Sequence, residues 1–126
     1  IPLSERLITP QVTIKKRSPL CGSMVTIDLN IENDKILNYG HEVKACALGQ
    51  ASASILAKDI LGKTSSQIID LRTAVMQMLT GCQFPLTIFT DYQVLSPARD
   101  YKNRHASIML ALDATVEGIH KIKNNL

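Results

Sequence analysis

Tryptophan is absent from this chain, and aromatic residues are only 4% of its 126 residues. So few rings leave no stacking platform for unpaired bases. An excess of charge is also missing: 14 Lys and Arg stand against 11 Asp and Glu, a net +3. That balance is too mild to argue for a nucleic-acid partner. The one basic run, Lys15-Lys16-Arg17, falls in an expected edge strand and reads as a solvated edge. No apolar run approaches the roughly 20 residues of a membrane-spanning helix, and no secretory pattern opens the chain. No membrane association is therefore expected. Cysteine is limited to three residues, an odd number that fits poorly with a disulfide framework. The expected setting is the cytoplasm. Repeats and low-complexity tracts are lacking too, and the length suits one domain over 1–126.

What is present is a change of period along the chain. Val12 to Arg17 reads as a first strand, broken by Pro19 and a turn at Cys21-Gly22-Ser23. From Val25 to Glu32 every odd position is apolar and every even one polar, which predicts a strand with one wet face. Asn33-Asp34 is turn chemistry. The next strand, about Lys35 to Val43, places Leu37, Tyr39 and Val43 on one face. Matching apolar faces pairs Ile31 with Leu37, Leu29 with Tyr39 and Val25 with Val43.

From Ala47 the spacing becomes helical, with Leu48, Ala51, Ile55, Leu56 and Ile60 on one stripe. Gly62 marks a stop, and Thr64 with Gln67 is a capping-box signature. A second helix follows with Ile68, Leu71, Val75 and Leu79 inward. Residues 82–96 read as a connecting loop. A last helix is expected from near Pro97, its stripe of Ile108, Leu112, Val116 and Ile119 extending back to His105 and Tyr101. Strands followed by helices predict an α+β domain: a small three-stranded antiparallel sheet with helices packed on one face.

The hairpin register brings Cys21 and Cys46 opposite each other at the open end of the hairpin. Cys46 falls at a helix start, where the partial positive charge favours a thiolate. Two convergent thiols suit zinc or iron. They also suit a redox disulfide, or each can be a small buried apolar residue. His105, on the inward stripe of the last helix, is the expected third ligand, with His41 as another candidate. Cys46 as nucleophile with His105 as base is a further arrangement, although no oxyanion hole is legible. Arg99, Lys102 and Arg104 form either a solvated helix start or a positive patch that welcomes anionic sulfur. Cys82 and His120 have no expected role.

Pro19-Leu20-Cys21-Gly22, the hairpin, and Cys46-Ala47-Leu48-Gly49-Gln50-Ala51-Ser52-Ala53-Ser54 together resemble the iron–sulfur cluster assembly scaffolds of the IscU/NifU N-terminal type. The resemblance implies a non-enzymatic scaffold or carrier that holds iron or a transient [2Fe–2S] cluster, with zinc as an alternative occupant. It implies that metal or cluster is bound by Cys21, Cys46 and His105. It also implies partners: a cysteine desulfurase that supplies sulfur, apo iron–sulfur proteins that receive clusters, and an Hsp70-type chaperone docking at Leu95-Ser96-Pro97-Ala98-Arg99. The chain departs from the family pattern twice. Ser23 stands where the family has an Asp ligand, and the last helix has no Cys, so His105 or Ala106 occupies that position. A zinc-binding sulfur acceptor and a degenerate module with the scaffold fold are the alternatives that these departures leave open.

Overall fold

The computed structural model describes residues 5–19, 22–81 and 86–124. Strands β1 (Val12–Arg17), β2 (Met24–Glu32) and β3 (Lys35–Lys44) form an antiparallel sheet in that order. Helices α1 (Ala47–Asp59), α2 (Ser65–Leu79) and α3 (Lys102–Asn124) follow. A run of 3₁₀ turns, Thr90–Asp100, precedes α3. The α+β order expected from the change of period is the observed one.

The hairpin register is correct at its open end and shifted near its tip. Val25 faces Val43 and Leu29 faces Tyr39, but Ile31 faces Ile36 rather than Leu37. The turn and the apolar faces make different demands. Asn33 and Asp34 both take positive φ, 54° and 62°, as a two-residue type I′ turn requires. That turn pairs Glu32 with Lys35, one residue out of step with the inward faces further along. A bulge beside Asn30 and Ile31 absorbs the difference. Ile36 turns into the core and Leu37 is left 51% exposed.

The alternation in β2 also misleads on one point. Val25, Ile27 and Leu29 are buried under the helices, but the opposite face is not wet. Asp28 there is 0% exposed. The segment before β1 crosses this face and covers it. Arg6 Nε and Nη2 donate to the Asp28 carboxylate at 2.5 and 3.2 Å, Thr13 Oγ1 at 2.6 Å and the Leu7 amide at 3.0 Å. Gly40 lies beneath the same segment, and a Cβ at that position would collide with the Glu5 carbonyl oxygen. Burial alone would raise the Asp28 pKa, but the bonds from Arg6, Thr13 and Leu7 outweigh it and hold the carboxyl below its ordinary value.

Helix α1 packs on α3 through small residues. Gly49, Ser52, Ala53, Leu56 and Ala57 are its buried positions, while Leu48, Ala51 and Ile55 are only partly buried. The inward stripe is therefore rotated from the one drawn through the large apolar residues, because small side chains let two helices approach closely. Ser52 Oγ donates to the Ile108 carbonyl at 2.6 Å, and Tyr92 Oη donates to the Ser52 carbonyl at 2.8 Å. These bonds tie α1, the 3₁₀ run and α3 together. Helix α2 buries Ile68, Leu71, Val75 and Leu79 as expected.

The capping box at α2 is complete: the Gln67 amide donates to Thr64 Oγ1 at 3.2 Å, and Gln67 Oε1 accepts from the Thr64 amide at 2.9 Å. Thr64→Ala is expected to lower stability by about 1 kcal/mol, seen as a lower urea midpoint with an unchanged slope.

Candidate functional site

Helix α1 begins where β3 ends, so the last strand delivers Cys46 to the helix N-cap. Its backbone is extended, φ −66° and ψ 173°, as an N-cap residue requires. The sulfur makes no full capping bond. It lies instead within reach of the Gly49 and Leu48 amides at the positive end of the helix. Ser107 of α3 approaches from the other side, its Oγ 3.4 Å from Cys46 Sγ. Ser23, at the start of β2, shares a 3.3 Å hydrogen bond with Ser107. Both hydroxyls are 2% exposed. Sheet, first helix and last helix therefore meet at one thiol.

The Ser107 hydroxyl lowers the Cys46 pKa most, followed by the Gly49 amide. Partial burial opposes them, and the Leu48 amide and Arg104 add to the lowering. The net effect is a thiol below its usual range, with more thiolate at neutral pH. The thiol opens to a cavity of about 360 Å³ lined by Cys46, Ala47, Leu48, Tyr101 and Arg104.

Gly49 sets the closeness of this meeting. A Cβ on it would stand 2.5 Å from Ser107 Oγ and 2.7 Å from the Ala45 Cβ. No real Cβ tolerates either separation, so glycine is required for the α1–α3 approach that places Ser107 on the sulfur.

The expected ligands are distributed as follows. Cys46 is at the site. Cys21 lies outside the described residues, and so does Cys82. Ser23, two residues after Cys21, reaches the site through Ser107, and the turn before it is closed by the Ser18 amide donating to the Ser23 carbonyl at 2.8 Å and the Gly22 amide to the Ser18 carbonyl at 3.1 Å. His105 is near the head of α3, and its Nε2 donates to the Ala98 carbonyl at 2.9 Å. That bond places the proton on Nε2 and leaves the Nδ1 lone pair, the arrangement common in metal-binding histidines.

The inward stripe of the last helix does not run back as expected. Tyr101 is 62% exposed, because α3 begins at Lys102 and the 3₁₀ run carries the chain through Pro97. One helical turn separates Arg104 from Ser107, and these two residues face Cys46. His105 lies about 100° around the helix from Arg104. His41 is not at the site. It lies opposite Ile27 on the inner face of the sheet, edge-on to Tyr39 with ring centroids 6.0 Å apart. Burial pushes its pKa down, and its Nδ1 has no hydrogen-bond partner among the described residues. His120 is exposed.

Ser107 is the residue of the candidate site that sequence reasoning missed. Its i+3 spacing from Arg104 was the available signal, but a serine inside a helix carries no chemistry of its own. Among the described residues no three His, Cys, Asp or Glu side chains converge as a metal site. No helix among them is long and apolar enough to cross a membrane.

This fold has solved counterparts, and the sequence has curated relatives. The crystal structure of a NifU-like protein (N-terminal) from Brucella abortus superposes with a TM-score of 0.92 at 39% identity, over 95% of this chain and 84% of that one. The iron–sulfur cluster assembly scaffold protein IscU of Thermotoga maritima is 26% identical over 102 residues, 81% of this chain and 72% of that protein. The zinc-dependent sulfurtransferase SufU of Bacillus subtilis is 20% identical over 121 residues, 95% of this chain and 82% of that protein. The profile of the family described as NifU-like N terminal domain matches residues 5–123. The chain belongs to that family, the iron–sulfur cluster assembly scaffolds of the IscU and SufU kind.

Proposed function

We propose that this chain, as one domain over 1–126, is a carrier in iron–sulfur cluster assembly. It takes sulfur onto Cys46 from a cysteine desulfurase and holds iron or a nascent [2Fe–2S] cluster before passing it to apo-proteins. The observation that carries this reading is the position of Cys46: an N-cap thiol, lowered in pKa, facing an open cavity. A buried structural cysteine needs none of these. No substrate turnover is implied, and the reducing cytoplasm is the setting that keeps the thiol free.

The donor set bears on what the site holds. Cys46 supplies one sulfur, and His105 has Nδ1 available once Nε2 is bound to the Ala98 carbonyl. With Cys21 as second thiol, two soft ligands and an imidazole suit iron or zinc. Ser23 contributes little as a ligand, because its hydroxyl is a weak donor and is bonded to Ser107. The missing carboxylate supports a second reading, in which Cys21, Cys46 and His105 would hold an exchangeable zinc. The metal's contribution there is to hold the thiols as thiolates. Handover to an Hsp70-type chaperone would use Pro97 and Arg99, the exposed residues of Leu95–Arg99, since Leu95 and Ala98 are buried.

Protein purified without oxygen is expected to carry iron with matching acid-labile sulfide. Cys46→Ser and Cys21→Ser are each expected to abolish both and leave the circular dichroism spectrum intact. Zinc without sulfide moves the assignment to the zinc-bound acceptor. A protein that takes up no metal and no sulfur would overturn both readings and leave a module that kept only the fold.

A further inference from the structure

Arg104 belongs to none of the family's ligand positions, yet it stands at the mouth of the site. It lies in the first turn of α3, and its amide donates to the Tyr101 carbonyl at 2.9 Å, which sets the direction in which the helix starts. Its side chain is exposed and shares the cavity of about 360 Å³ with Cys46 and Tyr101. One turn further on, Ser107 bonds Cys46 from the buried side. The thiol thus has a neutral hydroxyl behind it and a permanent cation in front. We propose that Arg104 is a positioning residue that holds the terminal sulfur of a persulfide on Cys46, making anionic sulfane sulfur the first cargo this site accepts. This inference rests on the reading of Cys46 as a sulfur acceptor.

The chemistry balances without an oxidant. The Cys46 thiolate attacks the terminal sulfur of a donor persulfide, R–S–S–H. The donor S–S bond breaks as a new S–S bond forms on Cys46. The departing sulfur takes the proton and leaves as R–S–H, and Cys46–S–S⁻ remains. Negative charge moves outward by one sulfur atom, away from the Ser107 hydroxyl and the α1 amides and toward the cavity. A guanidinium there offers several N–H donors. Tyr101 also lines this cavity.

The test uses glutathione persulfide as donor and reads the addition of one sulfur atom to the intact protein by mass spectrometry. Arg104→Met keeps the length of the side chain and removes its charge. Sulfur loading is expected to slow about tenfold, the size of one lost hydrogen bond to a charged group. Arg104→Lys is expected to recover part of that loss. A neutral alkylating agent, iodoacetamide, should be slowed far less in Arg104→Met, because Arg104 is the smallest of the groups that lower the Cys46 pKa. Equal slowing with both reagents, or no recovery with lysine, would show a structural role and overturn the proposal. Unchanged persulfide loading in Arg104→Met would also overturn it and leave Cys46 as acceptor. Loading that survives Cys46→Ser would instead remove the underlying reading.

Discussion

Arg6→Ala is expected to reverse the sign of the pH dependence of folding stability. In the native chain Asp28 is fully buried on the outer face of the sheet, yet its pKa lies below the ordinary carboxyl value. A group whose folded pKa is depressed contributes stability above its unfolded pKa and loses it as pH falls through the folded one. The native protein should therefore weaken only below about pH 4, where an unfolded aspartate titrates. Arg6 supplies the strongest of the bonds that oppose burial. Without it, the carboxylate keeps only Thr13 and the Leu7 amide, and burial pushes its pKa up.

A raised folded pKa destabilises at neutral pH, and the loss is relieved as pH drops toward the unfolded value. Urea midpoints of Arg6→Ala should be far below native at neutral pH and approach it in mild acid. A uniform small loss at every pH would mean that the ion pair is an ordinary surface contact. Asp28→Asn in the Arg6→Ala background should restore much of the neutral-pH loss, because it removes the buried charge left unpaired.

Gly49→Ala is expected to damage fold and site together. Glycine to alanine in an exposed helix is usually stabilising, by up to about 1 kcal/mol. Here the added methyl meets Ser107 Oγ and the Ala45 Cβ at impossible distances. Overpacking of this kind costs about 1–3 kcal/mol, so the net effect should be a loss. Any relief requires α1 to move off α3, which takes Ser107 away from the sulfur. The largest cause of the lowered Cys46 pKa then disappears, and the pH at which the thiol becomes reactive should rise. Calorimetry and the pH profile of iodoacetamide labelling check the two parts separately. A stabilised protein with an unchanged labelling profile would refute the close-contact argument.

Much of the site was legible before the fold. The helix start at Cys46 follows from a period change that begins at Ala47, and an N-cap thiol gains thiolate character from local backbone alone. The Thr64–Gln67 box and the Asn33-Asp34 turn are equally local, since each depends on residues within a few positions of each other. His105 was correctly read as near the head of the last helix. The stripe drawn back to Tyr101 does not hold, because α3 begins only at Lys102 and Tyr101 is 62% exposed. A 3₁₀ run there turns the chain, and three residues per turn instead of 3.6 spoils the extrapolation.

The sequence by itself determined the order of strands and helices, the odd-position core of β2, the hairpin with its turn at Asn33-Asp34, and the cysteine at the head of α1. These depend on period and on short-range chemistry. Tertiary structure alone decided that Asp28 is buried, that α1 lies on α3 through glycine, serine and alanine, and that Ser107 and Ser23 close over the thiol. Each of these pairs residues far apart in the chain, Arg6 with Asp28, Gly49 with Ser107, and Ser23 with Ser107. Polar alternation marks a face but not what will cover it. Small residues show no apolar stripe, although they allow the closest approach.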